Sequence, residues 1–245
     1  MKKTWFGEWF NSPYYHILYQ KRDYREASIF IDHLISKLGF NQQHLLMDLA
    51  CGKGRHSIYL NQKGFNVVGL DLSEQNIKSA KAYENQRLKF HIHDMREVFK
   101  ENEFDYVLNL FTSFGYFECD SDNLKCIKAM ASALKPGGSI ILDFLNPHVV
   151  INQLVPEEVK VINDIEFHIT KNYADGFIHK DIKFEDRNEQ FAYQEKVKAI
   201  TEKEFLTYFK AAGLQVEACC GNYELEPYQI NKSDRMIFIA KKDIN

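Results

Sequence analysis

Two glycines one residue apart, Gly52 and Gly54, follow directly on the apolar run Leu45-Leu46-Met47-Asp48-Leu49, and Arg55-His56-Ser57 then opens a helical pattern. Glycine lacks a Cβ and tolerates positive φ, so such a turn lets bare backbone approach a ligand. The helix start behind it directs free N–H groups and a positive dipole end into the same space. A second chemical group, Asp71, ends the next apolar run, Val67-Val68-Gly69-Leu70. In a doubly wound sheet ligands sit outside the carboxyl ends of the strands, where an acid can accept hydrogen bonds from both hydroxyls of a ribose. Asp48 stands inside the first run, where a carboxylate is costly to bury unless paired. It is expected to order the turn or to meet a cation through a water. The glycine turn with an acid behind it points to an adenosine-containing ligand.

The same residues discriminate among such ligands. A dinucleotide fingerprint needs a third glycine, G-x-G-x-x-G, and Ser57 occupies that place. No G-x-x-x-x-G-K-[ST] phosphate loop occurs either. A nicotinamide-dependent oxidoreductase is therefore the weaker reading, and a non-catalytic adenosine-ligand binding protein stands as a further alternative to an enzyme.

These groups need a scaffold, and the chain supplies one. Its 245 residues are 45% hydrophobic and 27% charged, enough for one sizeable α/β core. The formal net charge of −3 carries no basic surplus, which argues against a nucleic-acid partner. The five cysteines (Cys51, Cys119, Cys126, Cys219, Cys220) contain no C-x-x-C pair and read as reduced thiols of a cytoplasmic protein. No apolar stretch approaches a membrane span, and the lysine-bearing N-terminus lacks the apolar segment of a secretory leader.

Apolar residues at three-to-four spacing predict a helix from Asp23 to Leu38, stopped by Gly39. Strands and helices then alternate. Strands are expected at 45–49, 65–70, 88–92, 104–110 and 139–144. Helices are expected at 55–63, from the Ser73 cap to about Gln86, briefly after Met95, and at 122–134 before the break Lys135-Pro136-Gly137-Gly138. Such a series implies a parallel, doubly wound sheet. Three strand-like segments near 165–171, 177–184 and 190–197, separated by Asp175-Gly176 and Arg187-Asn188, suggest an antiparallel meander. Thr201 to Glu204 is a capping box for a helix ended by Gly213, and 214–220 with 236–241 form a last strand pair. The chain is thus expected to be one domain: an aromatic and helical arm at 1–40, a cofactor core at 41–150, an antiparallel β insertion at 151–200 and a closing helix and strand pair at 201–245.

Here the chain resembles the class I S-adenosylmethionine-dependent methyltransferases. Their first motif, D-x-(G/A)-C-G-x-G, matches Asp48 to Gly54. Their ribose acid matches Asp71, their adenine-contacting acid Asp94 beside Met95, and their fourth-strand element Phe104 to Leu110. The turn before their fifth strand matches Leu134 to Gly138. The resemblance covers residues 40–145 well and the closing elements more loosely. It implies a Rossmann-like, seven-stranded α/β sheet, mostly parallel with an antiparallel last strand. It implies S-adenosyl-L-methionine as cofactor, with backbone of Ala50, Cys51, Gly52 and Gly54 along its methionine portion and Asp71 on the ribose. Asp94 would meet the adenine amino group, with Leu72 and Met95 about the ring. Asn109 and Leu110 would meet the amino-acid end. Tyr15 or Tyr19, from an arm that also carries Trp5, Phe6, Trp9, Phe10 and Tyr14, would contact the carboxylate or the sulfonium, a cation suited to an aromatic face.

The acceptor is read by exclusion. No (D/N)-P-P-Y follows the fourth strand, where Asn109-Leu110-Phe111-Thr112 stands, and neither Pro-Cys nor Cys-Pro occurs. A small molecule methylated at O, N or S is expected, with Tyr14, His16, Ser113, Phe114, Tyr116, Asn146 and His148 as candidates around it. No catalytic base and no metal ligand is assigned. The 161–197 strands are expected either to cover the pocket or to form a homodimer interface.

Overall fold

The computed structural model describes residues 5–20 and 24–244. The lysines near the N-terminus, the helix start at Asp23, and the side chains of Trp5 and Phe6 lie outside that description. Two short helices, α1 (Trp5–Asn11) and α2 (Pro13–Leu18), form the arm, and α3 (Tyr24–Leu38) follows. Its Ala27, Phe30, Ile31 and Leu34 are buried, as their spacing requires.

The core then runs β1 (Leu45–Leu49), α4 (Arg55–Gln62), β2 (Asn66–Asp71), α5 (Glu74–Ala80), β3 (Leu88–Ile92), β4 (Phe104–Asn109), α6 (Asp120–Ala133) and β5 (Leu134–Leu145). After α7 (Pro147–Asn152) come β6 (Glu157–Ile162), β7 (Ile165–Ala174), β8 (Phe177–Asp186) and β9 (Glu189–Lys198). The chain closes with α8 (Glu202–Ala211), β10 (Leu214–Cys220) and β11 (Arg235–Lys242).

The main sheet has seven strands in the order β10-β11-β5-β4-β1-β2-β3. β1 through β5 pair in parallel, and β11 runs antiparallel to both β5 and β10. One apolar layer packs α3, α4 and α5 on the sheet through Phe30, Leu34, Ile58 and Ile77. The other packs α6 and α8 through Ile127, Met130, Phe205 and Phe209. The strand order reverses between β1 and β4, so the crevice outside their carboxyl ends is where a ligand fits.

The second sheet, β6-β7-β8-β9, is antiparallel throughout. Its hairpin turns Asn163-Asp164, Asp175-Gly176 and Arg187-Asn188 all have positive φ at both residues, the mirror-image turns that two-residue hairpins favour. One face, carrying Ile165, Phe167, Ile169, Ile182 and Phe184, packs on Trp9 and Leu18 of the arm.

Five elements differ from expectation. The helix after Ser73 ends at Ala80, with a 3₁₀ turn over Lys81–Tyr83, and Asn85 pairs instead with Leu88. No helix follows Met95, because Asp94 Oδ1 accepts the Arg96 N–H at 3.0 Å and closes a turn. Lys135 to Gly138 already belongs to β5, with the ladder to β4 shifting register between Phe104 and Tyr106. Finally, α7 and β6 are additional. Asn146 caps α7 by accepting the His148 N–H, and Pro147 takes the first helical position.

Candidate active site

The turn after β1 is built from left-handed backbone. Ala50 (φ 61°), Gly52 (φ 57°) and Gly54 (φ 82°) alternate with ordinary residues. The Cys51 N–H donates to Leu70 O at 2.9 Å and fastens the turn to β2. A Cβ on Gly54 would lie 2.7 Å from the Phe90 ring, and one on Gly69 would lie 2.5 Å from the same ring. Phe90 therefore fills the space that both glycines leave, and the turn sits flat against β2 and β3.

Asp48 is 1% exposed and its Oδ2 accepts from Ser57 Oγ at 2.5 Å. It thus joins β1 to α4 behind the turn. Burial pushes its carboxyl up to about 6, against the pull of the Ser57 bonds. Cys51 is buried beside it, and burial together with Asp48 and Asp71 holds its thiol well above the usual range, so it is neutral.

Asp71 accepts the Gly52 N–H on Oδ2 and the Ser73 N–H on Oδ1, both at 2.8 Å. Burial raises its carboxyl and these backbone bonds oppose the rise. Each oxygen keeps lone-pair capacity toward the crevice. Asp94 is held in a fork: Arg96 Nε donates to both of its oxygens, at 3.0 and 3.2 Å, and Nη2 to Oδ2 at 2.6 Å. Burial would raise the Asp94 carboxyl, but the Arg96 bonds and charge outweigh it and leave it lowered. The Arg96 guanidinium also lies 4.9 Å over Phe117 and reaches Asp122 at 3.5 Å.

These groups border one cavity of about 320 Å³. Of the residues expected to hold the cofactor, Tyr15, Tyr19, Asp48, Ala50, Cys51, Gly52, Asp71, Leu72, Asp94, Met95 and Leu110 line it. Gly54 and Asn109 do not. Gly54 backs onto Phe90, and Asn109 is buried with its Nδ2 donating to Leu49 O at 3.0 Å, tying the ends of β1 and β4 together. Of the acceptor candidates, His16, Ser113 and Tyr116 line the cavity and the other four do not. Tyr14 turns to the second sheet and donates to Asp186 at 2.8 Å. Phe114 is in the core against Phe205, Asn146 caps α7, and His148 is exposed on α7.

Sequence reasoning missed several lining residues. Arg55 and His56 stand in the first turn of α4, one and two residues beyond Gly54, a position that could have marked them. Asn76 stands three beyond the Ser73 cap. Phe10, Gln20 and Phe111 carry no local signal. His16 and His56 are both held below the ordinary imidazole range, by burial first and then by Lys53 and Arg55 respectively. The second sheet contributes nothing to the lining; it carries the arm, and the arm lines the cavity.

A ligand of adenosine type fits this space. Beside the carboxylates, two buried polar atoms at the lining, His56 Nε2 and Asn76 Oδ1, have no hydrogen-bond partner, the condition a ligand relieves.

Residues 46–138 match the model of a methyltransferase-domain family. With the seven-stranded order, the antiparallel last strand and the glycine turn, these residues form a methyltransferase domain whose cofactor is S-adenosylmethionine. Among relatives, the chain is 27% identical over 222 residues to the putative methyltransferase YqeM of Bacillus subtilis (strain 168), covering 80% of this chain and 83% of that one. It is 34% identical over 122 residues to a glycine/sarcosine N-methyltransferase of Halorhodospira halochloris, 47% of this chain and 45% of that protein. In fold it is similar to a crystal structure of an S-adenosylmethionine-dependent methyltransferase from Clostridium acetobutylicum ATCC 824, with a TM-score of 0.80 at 21% identity over 94% of this chain and 96% of that one.

Proposed function

We propose that this chain methylates a small molecule that enters between the arm and the Leu110–Phe117 segment. The observation that carries the reading is the shared cavity. The glycine turn, Asp71 and the Asp94–Arg96 pair line it together with the rings of Phe10, Tyr15, Tyr19 and Tyr116. S-adenosylmethionine, when bound, supplies an electrophilic methyl group on a sulfonium. The residues supply position. Asp71 takes the ribose hydroxyls, Leu72 and Met95 flank the adenine, and the Asp94–Arg96 pair sets its edge. Ala50 to Gly52 and Leu110 pass along the methionine portion.

A direct displacement needs no covalent enzyme intermediate, and alignment of nucleophile and methyl group can supply about 7–11 kcal/mol at best. The aromatic arm excludes water. Burial holds His16 and His56 below the ordinary imidazole range and favours their uncharged forms. At His56 the same burial and Arg55 oppose taking up a proton, which leaves the half-buried His16 as the better proton acceptor where the substrate enters protonated. The similarity to a glycine/sarcosine N-methyltransferase supports a small acceptor. The free cysteines support a cytoplasmic setting, and the net charge supports a partner other than nucleic acid. Among the described residues no helix is long and apolar enough to cross a membrane.

Calorimetric titration with S-adenosylmethionine and its demethylated product, followed by assay against metabolite pools with labelled methyl donor, tests the reading. Labelled low-molecular-weight product is expected. Binding without turnover on any pool would favour a non-catalytic cofactor-binding protein. Sedimentation velocity tests the homodimer.

A further inference from the structure

Immediately after β4 the chain makes two consecutive left-handed residues, Phe111 (φ 57°) and Thr112 (φ 56°), neither of them glycine. This conformation is disfavoured for any side chain, and for a β-branched residue such as threonine it is an outlier that persists only where its surroundings enforce it. The enforcing groups are visible. Asp143 of β5 is fully buried, and its Oδ2 accepts the Phe111 N–H at 2.7 Å. Its backbone carbonyl accepts the Thr112 N–H at 3.0 Å. Arg235, at the start of β11, donates from Nε to Asp143 Oδ1 at 2.8 Å and from Nη2 to Thr112 Oγ1 at 2.9 Å. The Tyr223 hydroxyl donates to Asp143 Oδ2 at 3.3 Å.

What the enforced turn presents is the Phe111 ring. It lines the cavity, with the Arg55 guanidinium 4.1 Å from its centroid, the His56 ring at 4.9 Å and Tyr223 stacked at 5.1 Å. Leu110 and Ser113, on either side of the turn, line the same cavity. An extended backbone at 111–112 would carry this wall elsewhere.

We propose that Asp143 and Arg235 are positioning residues of the methyl-transfer site. By clamping Phe111 and Thr112 in the left-handed conformation, they set the wall of the cofactor cavity formed by Leu110, Phe111 and Ser113. The inference rests on that cavity holding S-adenosylmethionine. Neither residue touches the cavity, so both act through the turn.

The test exploits glycine, which adopts positive φ without strain. S-adenosylmethionine is titrated calorimetrically into the full chain and its variants, with melting temperatures measured in parallel. Arg235→Met is expected to weaken binding roughly tenfold, the order set by one strained residue released. Adding Thr112→Gly to Arg235→Met should bring affinity back to within about threefold of wild type while the lowered melting temperature persists, because the Asp143 charge stays buried without its partner. Thr112→Val, which keeps the ion pair but loses the hydroxyl anchor, is expected to bind more weakly than Thr112→Gly, and it serves where Arg235→Met does not fold. Unchanged affinity in folded Arg235→Met, no recovery in the double variant, or equal affinities of the Val and Gly variants would overturn the proposal. A wild-type chain that bound no S-adenosylmethionine would instead overturn the cavity assignment, before any variant is compared.

Discussion

The Tyr19 hydroxyl donates to Glu195 Oε1 at 2.5 Å, joining a ring of the cavity lining to strand β9 of the second sheet. The Trp9 indole N–H donates to the same oxygen at 2.7 Å, and Lys180 lies 3.7 Å from Oε2. One carboxylate thus gathers both arm helices onto the sheet. Glu195→Ala leaves the buried Trp9 N–H without its acceptor, a loss of about 1–3 kcal/mol. A lower melting temperature and weaker S-adenosylmethionine binding are expected together. A lowered melting temperature with unchanged affinity would show that the arm does not shape the cofactor site.

Asp71 accepts two backbone N–H groups, which alters the choice of variant at that position. Asp71→Ala would release the Gly52 turn as well as the ribose, confusing two effects. Asp71→Asn keeps the shape and one acceptor but removes the charge and turns one acceptor into a donor facing an N–H. Charged hydrogen bonds contribute about 1.5–3 kcal/mol each, so cofactor affinity should fall roughly ten- to a hundredfold. Titration calorimetry of the folded variant reads this directly, and an unaltered dissociation constant would remove Asp71 from the site.

Phe90 was invisible as a site residue because it never meets the cavity, yet it explains two glycines at once. A Cβ at Gly69 would stand 2.5 Å from its ring and 3.0 Å from Cys51 Sγ. Gly69→Ala is expected to destabilise the chain by about 1–3 kcal/mol through overpacking. Gly69→Ala with Phe90→Leu, which clears the space, should recover part of that loss. Thermal or urea unfolding of the pair checks it; a single variant as stable as wild type would mean that Phe90 moves aside freely.

Legibility of the chain followed physical cause. The β–α alternation was readable because β1 and β2 are buried apolar runs ending at glycine turns and acids, signals that lie within a few residues of each other. β6 was missed because Glu157, Val159, Lys160 and Val161 are all exposed, so an edge strand with no buried face shows no period. The place of Asn146 after β5 suggests an acceptor contact, whereas Asn146-Pro147 is the start of α7, a local signal of a cap and first helical position. The arm's role is only half readable: its rings stand out as candidates for the pocket, but nothing local tells that Tyr14 faces Phe184 while Tyr15 and Tyr19 face the cavity. Likewise Arg96 captures Asp94 through a turn two residues long, and Phe111 is placed by Asp143, which stands on another strand.

Asp48 makes stability depend on pH in a defined direction. Burial raises its carboxyl from an ordinary 3.8 to about 6 in the folded chain. Between those values the folded state holds a proton that the unfolded state has released, so stability falls as pH rises. The contribution is fully present below about pH 4 and is lost as pH passes through about 6. Above that, an ionised carboxylate is buried with the Ser57 hydroxyl as its side-chain partner, at a cost on the order of 2–3 kcal/mol. Asp48→Asn, which keeps a carbonyl oxygen for Ser57, should therefore be more stable than wild type at pH 8 and lose that advantage toward pH 4. Many other carboxylates titrate over the same range, so the quantity to measure is the difference between the two urea midpoints at each pH. A difference that stays constant from pH 4 to 8 would mean that Asp48 titrates in its ordinary range.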